Sequence, residues 1–172
     1  MNIPNLLTIV RLFLVPVFIM VFFSGTQNAT IISVLIFLGA GLTDVLDGYI
    51  ARKYNMVTKW GTVLDPLADK LMSITVLISF AVKNIIPAWV LYVIGIKEIL
   101  MIIGGAVLFK KGTCVPAKIY GKITTVLFYI SILVLEFVNS EVGLALIYMT
   151  MISTIFSFFK YLGSIIKMKD TY

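Results

Sequence analysis

Apolar runs dominate this chain, and they are too long and too numerous to form the core of a water-soluble domain. Six of them, residues 6–23, 31–52, 61–82, 86–109, 123–138 and 142–161, occupy most of its 172 residues. A helix needs about 20 predominantly apolar residues to cross the hydrocarbon of a bilayer. Lipid admits only elements whose backbone hydrogen bonds close internally. The runs therefore predict an all-α integral membrane protein with six transmembrane helices, folded as one domain over residues 1–172. The composition agrees: with 60% hydrophobic and 13% charged residues and a mean hydropathy of +1.08, too little polar surface is available for water alone. The short fifth run is expected to extend back as helix through residues 120–122. Ahead of the first run, Asn2, Ile3, Pro4 and Asn5 are expected to lie along the membrane interface, with Asn5 as a helix cap.

The breaks at residues 24–28, 83–84 and 139–141 are very short, so the helices they join should be antiparallel hairpins. There is no internal repeat and no low-complexity segment. In a soluble chain a net charge of +6 would suggest a nucleic-acid partner; its placement here points elsewhere. With a cytoplasmic N-terminus, six spans put Arg52, Lys53, Lys59, Lys110, Lys111, Lys118, Lys122, Lys167 and Lys169 at one face. Only Lys83, with Glu136 and Glu141, falls at the other. This positive-inside asymmetry predicts both termini in the cytoplasm of a multi-pass cell-membrane protein, and its basic face would attract anionic headgroups and phosphorylated substrates. No nucleic-acid partner is expected. A cleaved signal peptide, with Arg11 before an apolar 12–23 segment, is the weaker alternative, because further apolar runs follow rather than an exposed domain. The lone Cys114 cannot form an internal disulfide. The absence of histidine excludes histidine nucleophiles, bases and metal ligands.

Two runs depart from uniform apolarity. The second ends with Thr43, Asp44, Asp47 and Arg52, and the third opens with Gly61, Asp65 and Asp69 before turning apolar from Leu71. Both polar ends adjoin the same cytoplasmic connection. Asp44 and Asp47, three apart, share a helical face, as do Asp65 and Asp69, four apart. Four carboxylates meeting in a partly desolvated cleft repel unless cations neutralise them. A donor set of oxygen alone selects hard ions, Mg²⁺ or Mn²⁺. Two such ions about 4 Å apart can clamp a phosphoryl group in transfer. The plainer alternative makes the aspartates solvated charges or partners of Arg52, Lys53 and Lys70; against it stand the matched spacing and the cost of acids in a membrane. A cation transporter is another reading, but it requires acids nearer the bilayer midplane. Gly48 and Gly61 would let a ligand or a neighbouring backbone approach closely, Arg52 would meet a diphosphate or snorkel, and Pro66 falls near the first turn of the third helix.

The run Asp44-Val-Leu-Asp47-Gly48-Tyr-Ile-Ala51-Arg52, followed by Gly61, Asp65 and Asp69, fits D-x-x-D-G-x-x-A-R-x8-G-x3-D-x3-D at every fixed position. In this signature, and over essentially its whole length, the chain resembles the CDP-alcohol phosphotransferases. The resemblance implies that family's fold, with an active site at the cytoplasmic face where a phosphatidyl group passes from CDP-diacylglycerol to an alcohol and CMP is released. It implies metal ligation by Asp44, Asp47, Asp65 and Asp69, with Asp69 also the base for the attacking hydroxyl. It places Gly48, Arg52, Thr58, Asn5 and Thr8 around the CDP-lipid, with the motif positions Ala51 and Gly61. A homodimer is common in the family. Three segments, Asn2 to Arg11, Leu64 to Lys70 and Pro116 to Thr125, look most like the phosphatidylglycerophosphate synthase branch, whose acceptor is glycerol 3-phosphate. Lys97, Lys110, Lys118 and Lys122 are the candidates for that acceptor's phosphate, although as lysines at or near a basic face they also serve as ordinary membrane anchors. One departure is Lys97-Glu98, where that branch usually carries Arg-Glu, and a point charge is no substitute for a planar fork. A cardiolipin synthase of the same fold, taking phosphatidylglycerol, is the alternative acceptor assignment. The aromatic residues and methionines are most simply lipid-facing or packing groups, with Trp60 and Trp89 as interfacial anchors.

Overall fold

With nothing in lipid to accept a stray N–H, each apolar run closes its backbone bonds on itself as a helix. The computed structural model describes residues 3–54, 59–110 and 119–169. These form α1 (Ile3–Phe22), α2 (Ala29–Lys53), α3 (Lys59–Val82), α4 (Ala88–Lys110), α5 (Ile119–Phe137) and α6 (Ser140–Lys169), with no strand among the described residues. As expected, α5 reaches back past residue 120.

Two expectations at helix ends are corrected. Ile3, Pro4 and Asn5 are not a separate segment ahead of the first helix: α1 already runs from Ile3 and holds Asn5 in its first turn, while Asn2 lies outside the described residues. Pro4 suits that turn, where a missing N–H leaves nothing unpaired. Pro66 lies well inside α3, which starts at Lys59 and not at Gly61.

The helices sort into two compact units, Met1–Ile85 and Ile86–Tyr172. In the first, α1 packs against both α2 and α3, and α2 against α3. Its apolar core is built from Phe18, Phe22, Val34, Phe37, Met72 and Phe80, all fully buried. The Phe22 ring stacks on Phe18 (centroids 5.5 Å) and on Phe80 (5.3 Å). Gly25 (φ 72°) and Asn84 (φ 56°) take the left-handed conformations that the turns after α1 and α3 demand, which glycine and asparagine tolerate best. Lys83 reaches back from the second of these turns to α1. Its Nζ donates to the Phe22 carbonyl at 2.6 Å and sits 4.2 Å from the Phe22 ring centroid, so a cation closes the carbonyl end of α1.

In the second unit α6 packs against α4 and α5. Asn139 caps α6, its side-chain oxygen accepting the N–H groups of Glu141 (2.8 Å) and Val142 (3.1 Å). The α5–α6 hairpin closes so tightly that a methyl group at Gly143 would run into the backbone of Leu135, 2.6 Å from its nitrogen. Hydroxyl pairs cross the interface, Ser131 with Thr150 at 3.0 Å and Thr124 with Ser153 at 2.9 Å, as small polar residues do between helices in lipid. Trp89, expected as an interfacial anchor, stacks on Tyr148 with centroids 5.5 Å apart.

Large apolar side chains face outward in both units: Phe13, Met20, Val45, Tyr92, Ile152 and Phe159 are all exposed. Among the described residues, three helices, over Pro4–Phe22, Ala29–Ala51 and Ser140–Gly163, are long and apolar enough to cross a membrane. The chain is a membrane protein.

Candidate functional site

One stripe of α1 changes character along its length. Its buried positions at helical spacing are Thr8 and Arg11 near the N-terminus, then Phe18 and Phe22. The apolar part joins the core just described; the polar part meets the acidic ends of α2 and α3.

Arg11 is 1% exposed. Its Nη1 donates to Asp44 Oδ1 at 2.6 Å, and its Nη2 donates to Asp47 Oδ2. One guanidinium thus spans both carboxylates of α2, as the three-residue spacing of the two aspartates allows. Asp47 is almost completely buried, whereas Asp44 keeps 39% of its side chain exposed. The Thr8 hydroxyl donates to Asp65 Oδ1 on α3. The Pro4 carbonyl lies 3.1 Å from the Thr8 hydroxyl oxygen. A hydroxyl has a single proton, and the carboxylate is the closer and stronger acceptor. The charges of Asp44 and Asp65 both bear on Asp47. Asp69, one turn beyond Asp65, is partly buried, with Lys70 Nζ 3.8 Å from its Oδ2.

Three of the four expected aspartates are therefore tied together through α1, and the fourth continues the same face of α3. Arg11 is the residue that sequence reasoning missed. In the sequence it stands only in an alternative signal peptide and in one of the resembling segments. Yet a lone cation within an apolar run, three residues after Thr8, already called for an intramembrane partner.

Of the residues expected around the CDP-lipid, Asn5 and Thr8 lie in the first turns of α1. Gly48 and Ala51 are on α2 beyond Asp47, and Gly61 is buried at the start of α3. Arg52 belongs to the last turn of α2, but its side chain, like Thr58, lies outside the described residues. Lys97, on α4, is buried and paired with its neighbour Glu98 at 2.8 Å. Lys122 is exposed on α5, Lys110 ends α4 with its side chain outside the description, and Lys118 lies outside the described residues.

Among the described residues no three acidic side chains converge on one point to ligate an ion. The donor set nevertheless fits a hard dication in kind. It consists of carboxylate oxygens, and a positive group, the Arg11 guanidinium, already bridges two of them.

The model of a family described as CDP-alcohol phosphatidyltransferase matches residues 1–157. Three similar proteins each carry the name CDP-diacylglycerol–glycerol-3-phosphate 3-phosphatidyltransferase. That of Rickettsia bellii (strain RML369-C) is 38% identical over 151 residues, covering 82% of this chain and 79% of the relative. That of Aquifex aeolicus (strain VF5) is 37% identical, covering 81% and 78%. That of Bacillus subtilis (strain 168) is 36% identical, covering 72% and 70%.

Proposed function

This chain belongs to the CDP-alcohol phosphatidyltransferase family, and we propose that it transfers the phosphatidyl group of CDP-diacylglycerol to glycerol 3-phosphate, releasing CMP. The similar proteins named for this reaction support the assignment. The observation that carries it is structural: the acidic ends of α2 and α3 are gathered by Thr8 and Arg11 of α1, on a chain whose motif is complete.

In this proposal Asp44, Asp47, Asp65 and Asp69 hold Mg²⁺ or Mn²⁺, two ions for four carboxylates. Bound there, the ions would neutralise the diphosphate and polarise the phosphorus under attack. Gly48, Ala51 and Gly61 leave room for the cytidine diphosphate along α2 and the start of α3, with Arg52, Thr58 and Asn5 as further contacts. The acceptor hydroxyl attacks the lipid-bearing phosphorus in line with the bond to CMP. As the new P–O bond forms, the bond to the CMP phosphate breaks, and the hydroxyl proton passes to the Asp69 carboxylate. A carboxylate is a weak base for an alcohol, so its position beside the acceptor contributes more than its basicity. The acceptor's own phosphate requires cations; Lys97, Lys110, Lys118 and Lys122 are the candidates.

All six helices span the membrane as a single domain, with both termini and the active site on the cytoplasmic side. Arg52 and Lys53 at the end of α2, Lys59 at the start of α3, and Lys111 and Lys118 between α4 and α5 support this orientation. A homodimer is the proposed assembly.

The test uses purified chain with CDP-diacylglycerol, Mn²⁺ and one acceptor at a time, following CMP. Release with glycerol 3-phosphate is expected. Release only with phosphatidylglycerol would move the chain to cardiolipin synthesis, and no release with either would remove the enzyme assignment.

A further inference from the structure

Arg11 is an expensive residue to bury. A guanidinium out of water must be paired, and this one is paired only through its two terminal nitrogens. Its Nε is buried with no hydrogen-bond partner among the described residues. The side chain is therefore held by the Asp44 and Asp47 carboxylates rather than by a complete cage of acceptors. An unsatisfied N–H also lowers the cost of letting the group move away.

The same carboxylates are the proposed metal ligands. A cation bonded to Asp44 Oδ1 and Asp47 Oδ2 occupies two of the oxygens a dication needs and repels that dication through its charge. We infer that Arg11 is the internal counter-ion of the carboxylate site, bound in competition with the divalent metal. It stabilises the acidic ends of α2 when no ion is held there, and it gives up Asp44 and Asp47 as ions enter. This inference rests on the metal-site assignment above and adds to it a specific exchange partner on α1.

The two roles have opposite signs, and a purely structural clip would not reproduce that. Without Arg11 the metal-free chain loses its only described cation on Asp44 and Asp47 and becomes less stable. The dication then meets the carboxylates with no competing charge and binds more tightly. Single and double charges roughly 6 Å apart repel enough to change affinity about tenfold even at the dielectric constant of water, and by more in a less polar surround. Metal bound to the folded state alone also raises stability, by an amount that grows with the logarithm of its affinity.

The experiment compares the full chain with Arg11→Gln and Arg11→Lys in detergent micelles. Mn²⁺ binding is read from the electron paramagnetic resonance signal of the free ion, and thermal unfolding is followed in EDTA and in Mn²⁺. Arg11→Gln should bind Mn²⁺ at least about tenfold more tightly than the parent. It should unfold at a lower temperature in EDTA and gain more from Mn²⁺. Arg11→Lys, which keeps the charge, should bind the ion much as the parent does. A Gln variant that folds only with Mn²⁺ also supports the exchange. Weaker or unchanged Mn²⁺ binding in Arg11→Gln, or a Gln variant that does not fold even in saturating Mn²⁺, overturns it. If the parent itself binds no Mn²⁺, the metal-site assignment fails as well, and that outcome is distinct from the others.

Discussion

Replacing Thr8 with Val removes one hydroxyl and almost no volume, and it separates two roles for this residue. Resemblance puts Thr8 beside the CDP-lipid, whereas the structure puts its proton on Asp65. Thr8 is 1% exposed, so water is poorly placed to take over from the lost donor. A hydrogen bond to a charged group contributes about 1.5–3 kcal/mol. Since about 1.4 kcal/mol is a factor of ten, the loss corresponds to roughly 10–100-fold, which is also the usual effect of removing a group that orients a metal ligand. Thr8→Val should therefore raise the Mn²⁺ concentration for half-maximal CMP release by about 10–100-fold. The KM for CDP-diacylglycerol should change much less. Thr8→Ser, which keeps the donor, should stay near the parent. Neutral Thr8 and charged Arg11 thus act in opposite directions: losing the first weakens metal binding, and losing the second strengthens it. An unchanged Mn²⁺ requirement together with a raised KM for the lipid would refute the reasoning and return Thr8 to substrate binding.

Asp69→Asn should abolish CMP release while CDP-diacylglycerol binding, followed by equilibrium dialysis, survives at least in part; near-parent turnover would reject Asp69 as the base. Gly143→Ala should destabilise the chain by about 1–3 kcal/mol through overpacking against Leu135, seen as a lower unfolding temperature with the KM values unchanged. Lys83→Met should cost about 1 kcal/mol in stability as the cation leaves the Phe22 ring and carbonyl, with turnover per folded molecule preserved.

What could be read in advance follows from what is local. The length of an apolar run, set against the thickness of a bilayer, locates the helices, because it acts within one segment. The aspartate pairs were legible for the same reason: spacings of three and four fix a shared face without knowledge of any neighbour. Errors at helix ends came from local competition. Pro4, read as part of an interfacial segment, fits a first turn, and Asn5 reads as a cap although α1 starts before it. Arg11 was harder because its meaning is long-range. It lies 33 residues from Asp44 and 36 from Asp47, and only the packing of α1 on α2 makes it a partner and not a topological charge. Gly143 was unreadable in the same way, since only the α5–α6 hairpin brings Leu135 against it.

Within the first unit, the polar and apolar layers follow from the alternating direction of the helices. α1 runs from Thr8 and Arg11 to Phe18 and Phe22; α2 runs back from Val34 and Phe37 to Asp44 and Asp47; α3 runs again from Asp65 and Asp69 to Met72, Val76 and Phe80. Each helix contributes a polar end and an apolar end, and antiparallel order brings like ends together. Within α1 the charge that opposes the acids of α2 is Arg11, and Thr8 is the neutral donor to Asp65 of α3. An aspartate lost from such a layer relieves repulsion even as it removes a ligand. The arginine lost from it leaves Asp44 and Asp47 facing each other without the cation that bridges them. In the absence of divalent metal, Arg11 is therefore the side chain whose removal costs this unit more stability than the removal of Asp44, Asp65 or Asp69, although it belongs to none of the fixed positions of the motif.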